Sequence, residues 1–252
     1  HKAGFYVQSL VNAFSPSNFV LTNPELYKET IAANGQNLVE GMKKLAEDIE
    51  AGHGDLKIRQ VDTKPFVVGE NIAATPGKVV ARSELVEIIQ YAPTTDKVLK
   101  RPLLIFPPWI NKFYVLDLNP EKSFIRWAVE QGHTVFVISW VNPTQKHALK
   151  NWTEYIREGL QFGLDTIEAA TGEREVNAIG YCVGGTLLAG ALAMFAREGE
   201  KRIATATCLT TQVDFTFAGD LLVFVDEDQV SALEQSMYAK GYLEGTKMAT
   251  AF

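Results

Sequence analysis

The stretch AIGYCVGGT, residues 178–186, decides the fold. Apolar residues lead into it from Val176, and TLLAGALAMFA follows it at helical spacing. That pattern predicts a strand, a sharp turn and a helix, with Cys182 at the apex. A Gly-x-nucleophile-x-Gly turn pushes the apical side chain out above the end of a sheet. Strand and helix backbones pass close together there, so the flanks need small residues, and Gly180, Gly184 and Gly185 supply them. The first amides of the helix face the apex and favour negative charge on it. The pattern therefore reads Cys182 as a nucleophile rather than as a buried structural cysteine. The amide of Val183 becomes one donor to an oxyanion. A second donor comes from the loop after an earlier strand, here IFPPWINKF, which offers Trp109 or Ile110. Cys208 lies in the apolar run ATATCLTT with no glycines around it, and is expected to be core packing.

Working outward, buried-strand runs recur at PLLIFPPWI, TVFVISWV, VNAIGYC and ATATCLTT. Helical segments near 120–131, 151–171 and 184–198 separate them. Continuous apolar strands alternating with helices imply a parallel sheet covered on both faces. Upstream, PFVVGENIA, KVVAR and LVEIIQYA read as short strands of an antiparallel meander. The first 65 residues read as helical. Phe5, Leu10, Val11 and Phe14 share one face, and Leu38, Met42, Leu45 and Ile49 form a second stripe. Asn23, Pro24 and Glu25 look like the cap and first turn of a helix that continues along that second stripe to AGHGD. These apolar stripes are expected to pack on the core, or else to meet a partner. A polar, helix-like stretch begins near residue 226. The expected architecture is α/β: a helical region over 1–65, then an incomplete α/β core over 66–252.

Composition narrows the function classes. The 252 residues are 46% hydrophobic and 21% charged, with a net charge of -6. Nothing basic points to nucleic acid or an anionic membrane. The longest apolar stretch is far short of the roughly 20 residues of a spanning helix, and no signal peptide is apparent. Two cysteines make no disulfide framework, and no metal-ligand spacing is present. A reducing, cytoplasmic setting is expected.

A cysteine nucleophile needs a base, and this fold orders its triad as nucleophile, acid, histidine. His1, His53, His133 and His147 all precede Cys182. After Cys182 come Asp214, Asp220, Asp226 and Asp228, but no histidine. His53, between two glycines, reads as a solvated loop residue. Either another residue serves as the base or the base lies beyond this chain; the second is expected, and with it little or no activity of the chain alone.

Seven stretches, TNPE, TPGKVV, IQYAPTT, KRPLLIFPPWINKFYVLDL, SFIRWAVEQGHTVFVISWVNP, GYCVGGT and LTTQVDF, make the chain resemble the polyhydroxyalkanoate synthases, most closely those of class I. The resemblance implies that the core over 66–252 is a partial α/β-hydrolase core behind the N-terminal helical region, and that the protein is an acyltransferase that polymerises (R)-3-hydroxyacyl-CoA, chiefly 3-hydroxybutyryl-CoA, into polyester with release of CoA. It carries Cys182 over as acyl carrier and Val183 as oxyanion donor, and it marks Asp117 in FYVLDL as a supporting residue. It implies no cofactor, since the CoA thioester is substrate. It further implies a homodimer located at cytoplasmic polyester granules, with granule proteins as further partners. Two other readings compete: a cysteine-nucleophile esterase or thioesterase with the same elbow, and a non-catalytic segment acting in assembly.

Overall fold

The computed structural model describes residues 2–56 and 58–243. The described residues form two compact units. One holds those up to Pro65 together with Gly219–Asp226, and the other holds Phe66–Ala218 together with those from Glu227 onward.

In the first unit, helices α1 (Lys2–Ala13), α2 (Pro24–Ala32) and α3 (Gln36–Ala51) follow one another. Asn23 caps α2, its side-chain oxygen accepting from the Glu25 and Leu26 amides at 2.9 and 3.2 Å. The expected single helix from residue 24 to AGHGD is two. Asn34 and Gly35 both take positive φ, 50° and 82°, which ends α2 and restarts the chain at α3. The apolar stripe of α3 is not a buried core. Leu38, Met42, Leu45 and Ile49 all remain exposed, as do Leu10 and Val11 of α1 and Phe14 just after it. The residue α3 buries is instead Asp48, whose carboxylate accepts from Arg59 Nε at 2.5 Å. His53, at φ 55°, sits in the turn after α3.

The second unit is built on one six-stranded sheet. Its strands are β1 (Gly77–Arg82), β2 (Val86–Tyr91), β3 (Leu103–Phe106), β6 (Val135–Trp140), β7 (Val176–Tyr181) and β8 (Ile203–Leu209), in the order β1-β2-β6-β3-β7-β8. A two-stranded ribbon, β4 (Asp117–Asn119) with β5 (Lys122–Ser123), stands apart from it. Strands β1, β2 and β6 pair antiparallel, while β6, β3, β7 and β8 run parallel. The parallel strands need crossovers. Helix α4 (Phe124–Glu130) precedes β6. A continuous helical stretch of α5 (Trp152–Glu154), a π-helical segment Tyr155–Gln161 and α6 (Phe162–Thr171) precedes β7. Helix α7 (Val183–Glu198) links β7 to β8, and α8 (Glu227–Tyr238) is the last helix among the described residues.

Residues alternate between the two faces of the sheet with the period of a strand. Leu104, Phe106, Phe136 and Ile138 join one cluster with Ile156, Leu160, Leu164, Ile167, Leu187 and Phe195 of the long crossover and α7. Leu103, Ile105, Val135 and Val137 join the other with Ile125, Ala128 and Val129 of α4. Burying a side chain of this size contributes about 1.5–3 kcal/mol, so the two clusters are the main reason the strands hold register. Arg202, at the entry to β8, ties that strand to α6 through Asp165 at 2.6 Å and Glu168 at 3.3 Å.

Two strand-level expectations change. PFVVGENIA is a turn closed by a single bridge between Val68 and Ile72 rather than a strand, because the Gly69 backbone at φ 90° reverses the chain. Cys208 is exposed rather than buried. It lies on β8, which bonds to β7 at the sheet edge and has both faces of its middle residues open among the described residues. Apolar composition made β8 a strand; burial would need cover on its faces as well.

Candidate active site

Strand β7 runs into α7 through one residue, Cys182, at φ 54° and ψ -124°. L-residues avoid that region, and holding one there costs about 1–3 kcal/mol unless the surroundings over-determine it. They do so here through several bonds. The Cys182 amide donates to Leu209 O at 2.9 Å, which ties the turn to the end of β8. Its carbonyl accepts from the Gly185 and Thr186 amides at 2.9 and 3.2 Å, which starts the helix. Thr186 Oγ1 donates to Gln212 O at 2.8 Å.

The three glycines are demanded by close approach. A β-carbon on Gly180 would overlap the Gly185 α-carbon. On Gly184 it would strike Phe106 O and lie 2.9 Å from Pro107 O, and on Gly185 it would strike Thr211 Oγ1. The turn is thus pressed between the end of β3 and the chain leaving β8. Cys182 is left half-buried at the head of a 16-residue helix, while Gly184 and Gly185 are buried beneath it. Val183 is the first residue of α7, among the four amides with no acceptor inside a helix.

The loop after β3 begins Pro107–Pro108, and neither residue carries an N–H. Trp109 and Ile110 therefore bear the first amides this loop can present. Trp109 is half-buried and Ile110 is exposed. Gly184 packs against the carbonyls of Phe106 and Pro107, which sets the start of this loop beside the first turn of α7.

Asp117 opens β4 and is 2% exposed. Its Oδ1 accepts from the Thr75 and Ser123 hydroxyls, each at 2.6 Å, and its Oδ2 accepts from the Thr75 amide at 3.3 Å. Its backbone carbonyl accepts from the Ala73 amide at 2.8 Å. All these bonds hold a loop and a ribbon together. Its charge also helps raise the Tyr91 hydroxyl pKa, after burial, which is the larger cause.

The histidines divide by place. His1 lies outside the described residues, and His53 lies in the first unit. His133 precedes β6, at the end of the parallel sheet opposite the β7–α7 turn. His147 follows β6 at the same end as that turn, but its Nδ1 accepts from the Thr144 amide at 2.9 Å in a capping box. Its proton is therefore on Nε2, which is buried with no partner among the described residues. Asp214 follows β8; hydrogen bonds from Thr216 hold its carboxyl below the usual carboxylate range. Among the described residues, no group of three or more His, Cys, Asp or Glu is placed to hold a metal ion, and no helix is long and apolar enough to cross a membrane.

Thr211 went unremarked as a site residue in the sequence. Its hydroxyl lies 3.1, 3.3 and 3.4 Å from the carbonyls of Leu209, Gly180 and Cys182. Its single proton serves one of them at a time, directly under the turn. LTTQVDF hinted at it only as part of a resemblance.

Comparison with known proteins agrees with this architecture. Residues 1–128 match the model of the poly-beta-hydroxybutyrate polymerase (PhaC) N-terminus, and residues 101–244 match the alpha/beta hydrolase fold. The chain is 66% identical over its whole length to the poly(3-hydroxyalkanoate) polymerase subunit PhaC of Rhizobium meliloti (strain 1021), and covers 41% of that protein. It is 60% identical over its whole length to the poly(3-hydroxyalkanoate) polymerase of Methylorubrum extorquens, covering 42% of it. Against the subunit PhaC of Cupriavidus necator it is 44% identical over 92% of this chain and 39% of that protein. The chain thus spans about two-fifths of the length of these relatives. With its N-terminal half matching that polymerase model and the elbow standing in an α/β-hydrolase sheet, the chain belongs to the poly-β-hydroxybutyrate polymerase family.

Proposed function

We propose that this chain carries the nucleophile side of an acyltransferase that polymerises (R)-3-hydroxyacyl-CoA, with 3-hydroxybutyryl-CoA as the preferred unit. The observation that carries the reading is Cys182 held at φ 54° on the elbow of a hydrolase sheet, at the amide end of α7. A base takes the Cys182 proton, and the thiolate attacks the thioester carbonyl. The C–S bond to CoA breaks, and CoA leaves as its thiol after taking a proton. Exchange of one thioester for another is close to thermoneutral, which suits a cysteine acceptor. The hydroxyl of a second acyl unit then attacks the Cys182 thioester. An ester forms, and the cysteine sulfur is released and reprotonated. Val183, with Trp109 or Ile110, donates amides to the oxyanion in both steps. No bound cofactor enters the scheme. The named function of the relatives supports polymerisation over simple hydrolysis. The exposed apolar faces of α1 and α3 favour an added assembly role, as contact surface for a second subunit or a cytoplasmic granule.

The test is made on the full-length protein. Incubation with 3-hydroxybutyryl-CoA is expected to leave a hydroxybutyryl adduct on the peptide bearing Cys182, seen by mass spectrometry. Cys182→Ala is expected to give neither adduct nor CoA release. Normal turnover by that variant would sink the reading.

A further inference from the structure

We propose that Trp140 is a positioning residue for this reaction: its indole N–H and ring hold the loop whose first amides, those of Trp109 and Ile110, complete the oxyanion site. The proposal rests on the nucleophile reading of Cys182.

The argument begins with the two prolines. Because Pro107 and Pro108 have no N–H, this part of the loop cannot be anchored through its own donors. It can be anchored through carbonyls. Pro107 O accepts from Trp140 Nε1 at 2.8 Å, and the bond is buried. On its other side that carbonyl faces Gly184, where a β-carbon would come within 2.9 Å. The Pro107–Pro108 peptide plane is therefore set by a tryptophan at the end of β6 and by the first turn of the nucleophile helix. Turning that plane swings the amides that follow it. A second tie joins the same loop to the chain after β6, from Lys112 Nζ to Asn142 Oδ1.

The ring of Trp140 is itself fixed. Tyr155 stacks on it with centroids 5.4 Å apart and planes 26° apart, and Trp109 meets it edge-on at 5.8 Å. Trp109 also meets Trp152 at 5.8 Å and Tyr155 at 5.3 Å. Tyr155 begins the π-helical segment, in which Gly159 lies against the indole. A β-carbon on Gly159 would lie 2.5 and 2.8 Å from two atoms of the six-membered ring. Absence of a side chain at Gly159 is what lets the indole sit where its N–H reaches Pro107 O. Trp140 thus holds the loop twice, by hydrogen bond at Pro107 and by ring contact at Trp109.

The full-length protein tests this with two variants that disturb the arrangement differently. Trp140→Phe keeps an aromatic ring and removes the donor. Gly159→Ala keeps the donor and displaces the ring. Both are expected to lower kcat for CoA release from 3-hydroxybutyryl-CoA by about 10²-fold, the cost of one misplaced oxyanion donor, with KM within about threefold. Alkylation of Cys182 by iodoacetamide passes through no oxyanion and is expected to keep its wild-type rate in both. If one variant does not fold, the other still decides. With Cys182→Ala inactive, a folded variant whose kcat stays within about threefold of wild type would overturn the positioning role alone. So would alkylation slowing in step with turnover. Turnover by Cys182→Ala would overturn the nucleophile reading, and this proposal with it.

Discussion

Gly180 and Gly185 meet across the turn that carries Cys182, so closely that a β-carbon on the first would overlap the α-carbon of the second and lie 2.9 Å from its nitrogen. The obstacle is backbone on both sides, and no side chain can move aside to relieve it. Gly180→Ala and Gly184→Ala are therefore expected to cost at least the about 1–3 kcal/mol of ordinary overpacking. Denaturant unfolding measures this. Gly41, in the interior of α3, has nothing within 4 Å of its would-be β-carbon. Gly41→Ala is expected to stabilise α3 by about 0.5–1 kcal/mol. Equal effects at Gly41 and Gly180 would contradict the close approach.

At Cys182 itself, the positive φ separates stability from chemistry. Cys182→Ala keeps the backbone strain, and Cys182→Gly removes it. The glycine variant is expected to be more stable than the alanine variant by about 1 kcal/mol, the strain less the added freedom of the unfolded chain. Neither is expected to turn over. Paired thermal melts check the order, and an alanine variant as stable as the glycine one would contradict the strain.

Under the turn, Thr211→Val removes a hydroxyl that lies within reach of three carbonyls while keeping the branched shape. A loss of about 1 kcal/mol is expected, typical of one net hydrogen bond, and Thr211→Ser is expected to recover most of it. Urea midpoints for the three proteins decide. A fully stable valine variant would show that the hydroxyl is not used.

Tyr91 gives a pH dependence with a definite sign. Burial first, and the charge of Asp117 second, push its hydroxyl pKa above the usual 10.0. The folded state then keeps this proton at pH values where the unfolded chain has released it. The contribution is fully present below about pH 10 and is lost as pH rises beyond it. Tyr91→Phe is expected to flatten the alkaline fall in stability. Burial also raises the Tyr155 hydroxyl, which adds to the fall on the same alkaline side. An unchanged slope in Tyr91→Phe would refute the assignment.

Local order was legible in the sequence wherever a periodic apolar pattern met a residue with only one backbone use. Strand β7, the elbow, α7, the cap at Asn23 and the parallel strands could all be read that way, because alternation, helical spacing and glycine frames are properties of neighbours along the chain. The break at Asn34–Gly35 lay in the same string, yet the stripe across it masked it. Burial could not be read so. Cys208 and Leu209 are as apolar as the strands beside them, but whether a strand is covered depends on what packs over it. Tertiary structure alone decided that Cys208 is exposed and that Asp117 is closed around by Thr75 and Ser123. It also brought Thr211 under Cys182 and Trp140 onto Pro107, across 29 and 33 residues of chain. A hydrogen bond between such distant positions leaves no periodic trace, because it is set by the pairing of strands and not by the spacing of residues.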